Sequence, residues 1–250
     1  MPRSFTYSAL TLRVKPSGES NREAWFLTAE EGVIKATVFG GPKSKLRSHV
    51  APFNEGKLWI YHDPVRDSRK VSDFDVLSYR TGIRELYERS MAAYAVAETI
   101  LFSRGGGGSW HEARKLAGDA LDALDTASQN ACTVIAVRFF WRWAEILGVK
   151  PEISFCASCA REASGADSFW YSARKEALFC ENCMERMAYN TDSCIHIRAE
   201  TLKWLTEIES IKISSQLKPV AAATLEQAKA LGKTVLASAL GRWLPTWDAI

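Results

Sequence analysis

Through roughly the first eighty residues, apolar and polar positions alternate with a period near two; beyond them the period lengthens to that of a helix. Segments 5–15, 23–29, 33–39, 57–61 and 70–79 are rich in β-branched and aromatic residues and alternate in part, which predicts five short strands. The breaks between them hold Pro16-Ser17-Gly18, Glu31-Gly32, Gly40-Gly41-Pro42, Asn54-Glu55-Gly56 and His62-Asp63-Pro64, all strong turn formers. Five strands at this spacing suit a small antiparallel barrel, and the commonest nucleic-acid-binding barrel of that count is the OB-fold.

After Tyr79, Ile83, Leu86, Tyr87, Met91, Tyr94 and Leu101 fall at helical spacing, and Ala113, Leu116, Ala120, Leu121 and Leu124 do so again. Between them Gly105 to Gly108 form a run of four glycines, read as a flexible turn. A phosphate-cradling loop would need Lys-Ser or Lys-Thr after the glycines, and Ser109-Trp110-His111 supplies neither. A third helix over 131–147 is apolar around most of its circumference, as the central helix of a bundle would be. It stops at Gly148, with Pro151 close behind, and helical periodicity returns over 199–211 and 224–244.

The chemistry-bearing feature is a pair of cysteine knuckles, Cys156-Ala-Ser-Cys159 and Cys180-Glu-Asn-Cys183. Two such turns offer four thiolates to one tetrahedral ion, the arrangement structural zinc prefers. A closed four-sulfur shell leaves no position for water or substrate, so the metal would hold the fold together. Disulfides or buried thiols are the alternatives. Residues 1–14 carry no apolar core of signal-peptide length, which points to a reducing, cytoplasmic setting and favours zinc. Cys132 and Cys194 lie outside the pattern and read as ordinary small hydrophobes. Phe169, Trp170, Tyr171 and Phe179 predict a hairpin between the knuckles.

At 250 residues and 47% apolar content a real core is assured. The longest apolar run, 134–147, is broken by Arg138, Arg142 and Glu145, which excludes it as a membrane span. The net charge of +3 is unevenly spread: residues 1–80 carry a balance of +4, the next seventy are neutral and the last hundred are −1. From Val33 to Asn54 there are Lys35, Lys43, Lys45 and Arg47 and no acidic residue, a local field suited to a polyanion, with a solvated basic loop as the plain alternative. The expected architecture is α+β and multidomain: an N-terminal OB-fold β-barrel over 1–80, then an α-helical domain over 81–150 and 195–250 that carries an inserted four-cysteine zinc module over 151–194.

Three stretches resemble the RecO family of bacterial recombination mediators. They are Leu27-Thr28 through Gly32, the run from Val38 to Arg47, and Ala51-Pro52-Phe53. The segment from Arg138 through Gly148-Val149-Lys150-Pro151 into the first knuckle is similar to the metal-containing members. The turn at 16–22 departs from the compact acidic turn common in the family. The resemblance implies an OB barrel, a helical domain and a zinc module. It further implies binding of single- and double-stranded DNA, annealing of complementary strands, and partnership with RecR and the single-strand-binding protein, without enzymatic activity. A zinc-containing protein adaptor with no direct DNA role is the alternative.

The residues expected to neutralise phosphates are Arg13, Lys15, Lys35, Lys43, Lys45 and Arg47. Phe39 beside them reads as barrel core, with a base-stacking position as the second reading. Arg138 and Arg142 among aromatics suggest a groove for an acidic, apolar protein tail, against a simpler reading in which those aromatics are bundle core. The nucleobase-deaminase signature, His-x-Glu with a later Pro-Cys-x-x-Cys, is absent, which leaves no catalytic reading of the cysteines.

Overall fold

A computed structural model describes residues 3–41, 44–164, 167–186, 194–210 and 220–250. They form two compact units, Met1–Thr126 and Ala127–Ile250.

In the first unit, strands β1 (Ser4–Ser17), β2 (Asn21–Thr28), β3 (Gly32–Val38), β4 (Glu55–Asp63) and β5 (Ser68–Ser78) close into a barrel in the order β1-β2-β3-β5-β4. All neighbours are antiparallel except β3 and β5, which meet in parallel at Thr37 and Lys70. This is the five-stranded OB barrel, with the short helix α1 (Lys45–His49) between β3 and β4. Strand β3 shows why it closes: Ile34, Ala36 and Val38 are buried while Lys35 between them is exposed. Tyr7, Ala9, Ala24, Phe26, Leu58, Ile60 and Phe74 fill the interior with them. A register shift between Thr11 and Arg13 lengthens β1 by one residue and reverses its parity, so that Val14 joins the interior while Arg13 and Lys15 face solvent. Pairing continues to Ser17 opposite Asn21, so the unusual first turn leaves the β1–β2 ladder intact.

Leu10 and Leu27 lie opposite each other in register, are fully buried, and are not part of the barrel interior. They belong to an outer face covered by α2 (Tyr87–Phe102) and α3 (Trp110–Thr126), which contact β1 and β2 respectively. The four glycines join these helices in a turn whose first half is packed and whose second half is open: Gly105 and Gly106 are buried, Gly107 and Gly108 exposed. Every residue from Arg104 to Gly108 has a positive φ, and a side chain at Gly105 would meet Val33 Cγ2 at 3.0 Å.

In the second unit, α4 (Gln129–Ile146) is the central helix its composition predicts: Phe139, Phe140, Trp141 and Trp143 are all fully buried. It packs against α6 (Ala199–Ser210) and α7 (Ala222–Leu240), and the Trp247 ring meets that of Phe140 at a tilt of 57° with centroids 5.6 Å apart. Lys233 on α7 is buried with Nζ donating to the Trp247 carbonyl, and burial pushes it down to about 8. Between α4 and α6 lie β6 (Ser168–Ser172), β7 (Ala177–Cys180), the short helix α5 (Glu181–Arg186) and β8 (Cys194–Arg198). The expected hairpin is two strands of a three-stranded sheet, ordered β7-β6-β8. Residues 195–198 alternate Ile-His-Ile-Arg, a strand signal too short to stand out beside the helix that follows.

Candidate nucleic-acid interface and metal centre

Three of the six basic residues expected at the barrel converge on one aromatic that sequence reasoning missed. Trp25 on β2 stands directly opposite Arg13 on β1 and Lys35 on β3. Cross-strand neighbours at that spacing share a face of the sheet. Accordingly Arg13 Cζ, Lys15 Nζ and Lys35 Nζ lie 5.9, 6.0 and 5.9 Å from the centre of the indole ring. The signal available in the sequence was the alternation itself, which puts Trp25 outside whenever Ala24 and Phe26 are inside. Lys35 also pairs with Glu23 at 3.1 Å, an exposed and therefore weak interaction.

Lys45 and Arg47 lie on α1 and not in that cluster; Lys43 lies outside the described residues. Arg22 at the far end of β2 donates from Nη1 to the Arg47 carbonyl at 3.4 Å. Burial and the neighbouring Arg47 charge both lower the Arg22 pKa, so two guanidinium groups share one place. Phe39 is 46% exposed, which corrects the core reading: it follows β3 and carries Lys70 Nζ 5.4 Å from its ring centre. Val38 fills the inward position and the chain then leaves the ladder, so Phe39 turns outward. Among the described residues the barrel thus shows three aromatic–cation contacts, at Trp25, at Phe39 and at Trp59, where Lys57 Nζ lies 5.1 Å from the ring centre.

Arg138 is buried, with Nε donating to the Ile208 carbonyl at 2.9 Å. That bond satisfies a carbonyl in the last turn of α6, and Arg142 pairs with Glu145 at 2.9 Å. With the aromatics of α4 fully buried, the bundle-core reading of this segment is the one the geometry supports.

The four knuckle cysteines come together, with all Sγ atoms within 4.8 Å of one another and Cys156, Cys180 and Cys183 buried. The first knuckle turns through Ala160, whose φ is +57° and whose N–H donates to the Cys156 carbonyl at 2.9 Å. The second is formed where β7 ends and α5 begins, and the Ala157 N–H donates to the Leu178 carbonyl at 2.8 Å, tying the two together. Four sulfurs around zinc at about 2.3 Å require sulfur–sulfur separations near 3.8 Å. Cys159 and Cys180 stand at 3.7 Å. The Cys180 N–H donates to Cys156 Sγ at 3.3 Å, the kind of bond that stabilises a thiolate ligand. Burial alone would raise Cys156, but these N–H donors outweigh it and lower its pKa, whereas burial drives Cys180 upward. The donor set therefore fits a structural zinc ion.

Comparison with known proteins agrees with this architecture. A model for the N-terminal part of recombination protein O matches residues 1–80, and one for its C-terminal part matches residues 84–248. The DNA repair protein RecO of Heliobacterium modesticaldum is 27% identical over 200 residues, spanning 74% of this chain and 67% of the relative. The DNA repair protein RecO of Bacillus subtilis is 26% identical over 203 residues, spanning 78% and 73%. That of Synechococcus sp. is 22% identical over 222 residues, spanning 85% and 72%. With both family models matched in order along an OB barrel and a helical region bearing a cysteine cluster, the chain belongs to the recombination protein O (RecO) family.

Proposed function

We infer that this protein is a DNA repair mediator that binds DNA through its barrel, anneals complementary single strands, and acts with RecR to replace single-strand-binding protein by the recombinase. The observation that carries the reading is the Trp25 cluster. Three cations from two strands surround an accessible indole on an OB barrel, and only Lys35 among them has a carboxylate partner among the described residues. Cations neutralise phosphates without regard to sequence, and an aromatic face accepts any base. Annealing needs both, because two strands must be brought together with their base edges free to pair. The relatives' shared designation as DNA repair proteins supports the same role.

Arg13, Lys15, Lys35, Lys43, Lys45 and Arg47 are the residues assigned to phosphates. The Cys156, Cys159, Cys180 and Cys183 cluster would hold a zinc ion that stabilises the β6–β8 module and takes no part in chemistry. No step requires nucleotide hydrolysis. The test is the rate at which the purified protein anneals two complementary fluorescent oligonucleotides without ATP, as salt is raised. Fast annealing that fades with salt supports the reading; absence of both annealing and binding at low salt leaves a protein adaptor.

A further inference from the structure

Beside Trp25 the barrel does not end in open solvent. An open groove of about 420 Å3 runs there, with Arg13, Trp25 and Lys35 on the barrel side and Leu101, Phe102 and Arg104 from the end of α2 on the other. That volume falls in the range of about 300–1,000 Å3 typical of small-ligand sites. Its lining is four apolar or aromatic residues, Val33 among them, and three cationic ones, with no acidic residue.

Arg104 is the unexpected member. Helix α2 ends in a Schellman motif: the Gly105 N–H donates to the Ile100 carbonyl at 3.0 Å and the Arg104 N–H to the Leu101 carbonyl at 3.3 Å. The residue between cap and closure must be left-handed, and glycine is the usual occupant. Here it is Arg104, at φ +53°, although four glycines follow immediately. A left-handed non-glycine residue is strained, and such strain gathers where a side chain is needed. The Arg104 side chain makes no hydrogen bond or ion pair among the described residues, and it is placed on the groove because Gly105 packs against Val33.

We propose that this groove is a single-strand site that takes one unpaired nucleotide, with its base against Trp25 and its phosphate held by Arg104 together with Arg13. The proposal rests on the DNA-binding reading above and extends it in two ways: the track continues from the barrel onto α2, and the site discriminates single strands from duplex. Discrimination follows from access, since both faces of a base inside a duplex are already covered by its neighbours, whereas an unpaired base has a face to offer. The cations on both sides of the groove give it the opposite charge to the phosphate.

Arg104→Gly separates this role from a structural one. Glycine removes the backbone strain, so the variant is expected to melt no lower than the parent. It should nevertheless lose about fourfold in affinity for an oligothymidylate at 0.15 M salt and reduce the salt slope by about 0.7, the loss of one phosphate contact on a single strand. Trp25→Ala should weaken the single-strand complex roughly fivefold or more and the duplex complex less than twofold, with Trp25→Phe retaining most of the affinity. An unchanged affinity and slope in Arg104→Gly, or equal losses for single strand and duplex in Trp25→Ala, overturns the proposal. If an Arg13/Lys15/Lys35 triple alanine variant still loses DNA in that case, the barrel interface stands and only the groove assignment fails. If the parent protein binds no DNA, both fail together.

Discussion

Arg80 Nη2 donates to Glu55 Oε2 at 2.6 Å, and the arginine making that bond is only 4% exposed. The same group donates from Nε to Asp122 at 2.7 Å and from Nη1 to the Phe53 carbonyl at 2.9 Å, while Arg114 holds the other Glu55 oxygen at 2.7 Å. A single arginine thus ties β4, the loop before it and α3 into one node. Burial by itself would raise the Glu55 pKa; the bonds and charges of Arg80 and Arg114 outweigh it and hold it below the ordinary carboxylate value. Because the folded pKa is depressed, the stabilisation is fully present above the ordinary value and is lost as pH falls through the folded one. Glu55→Gln should therefore lower the melting temperature at pH 7, and the gap to the parent should narrow in acid once Glu55 of the folded parent is itself protonated. Arg80→Ala, which leaves the partly buried Glu55 carboxylate with Arg114 as its remaining partner among the described residues, should cost about 3 kcal/mol at pH 7. Equal melting differences at pH 7 and in acid for Glu55→Gln would show that the node works by shape and not by charge.

The cysteine cluster makes a stoichiometric prediction. The purified protein should carry one zinc per chain by elemental analysis, and chelation should release it together with a fall in near-ultraviolet ellipticity from Trp170 and Tyr171. Both residues sit on β6, paired with the strand that ends in Cys180. Structural zinc contributes its binding free energy to folding, on the order of 10 kcal/mol in small modules, so Cys180→Ser should lose the module outright. The barrel is a separate compact unit, and the Cys180→Ser variant should still bind oligonucleotides in proportion to its folded barrel.

The barrel and the central helix were legible in the sequence because each rests on a strong local period. Strand β3 alternates without a fault, and α4 is apolar around most of its circumference. The cysteine spacing was legible because a knuckle is a local motif whose ligands sit two residues apart. What stayed hidden depended on register and on small departures from a period. Trp25 became a site residue only once Arg13 and Lys35 were placed opposite it, and the bulge at Thr11 and Arg13 that sets this register leaves no mark in composition. Phe39 looked like core because aromatic residues at strand ends usually are; its exposure follows from the strand stopping one residue earlier. Arg104 carried no sequence signal at all, since a helix stop before four glycines looks complete without it.

The glycine run supplies a controlled pair. At Gly105, φ is +83° and an added Cβ would meet Val33 Cγ2 at 3.0 Å and the Val33 nitrogen at 3.2 Å; at Gly107, φ is +66° with nothing within 4 Å. Alanine at 107 incurs backbone strain alone, about 1 kcal/mol. Alanine at 105 adds displacement of the barrel edge and should cost about 2–3 kcal/mol or more. Denaturant titration of the two variants distinguishes a packed turn from a flexible one: equal losses at the two positions would mean that the loop does not bear on Val33.

Salt dependence decides how the basic residues divide the work. If Arg13, Lys15 and Lys35 each neutralise one phosphate of a single strand, their joint replacement by alanine should reduce the slope of log affinity against log salt by about 2, since each contact is worth about 0.7. Lys35 is the weakest of the three because Glu23 competes for it at 3.1 Å, and Glu23→Gln should tighten binding modestly and steepen the slope. The triple Lys43/Lys45/Arg47 alanine variant is expected to weaken binding to every sequence alike and to lower the slope as well, since none of these side chains is given a base to read. A triple that loses affinity with no change in slope would place those residues in the fold of the barrel and not against phosphate. Should both triples lower the slope, and their combination lower it by the sum, then the Trp25 cluster and α1 hold different phosphates of one bound strand. Two contacts on the same phosphate would saturate, whereas contacts on separate phosphates release separate counterions and add.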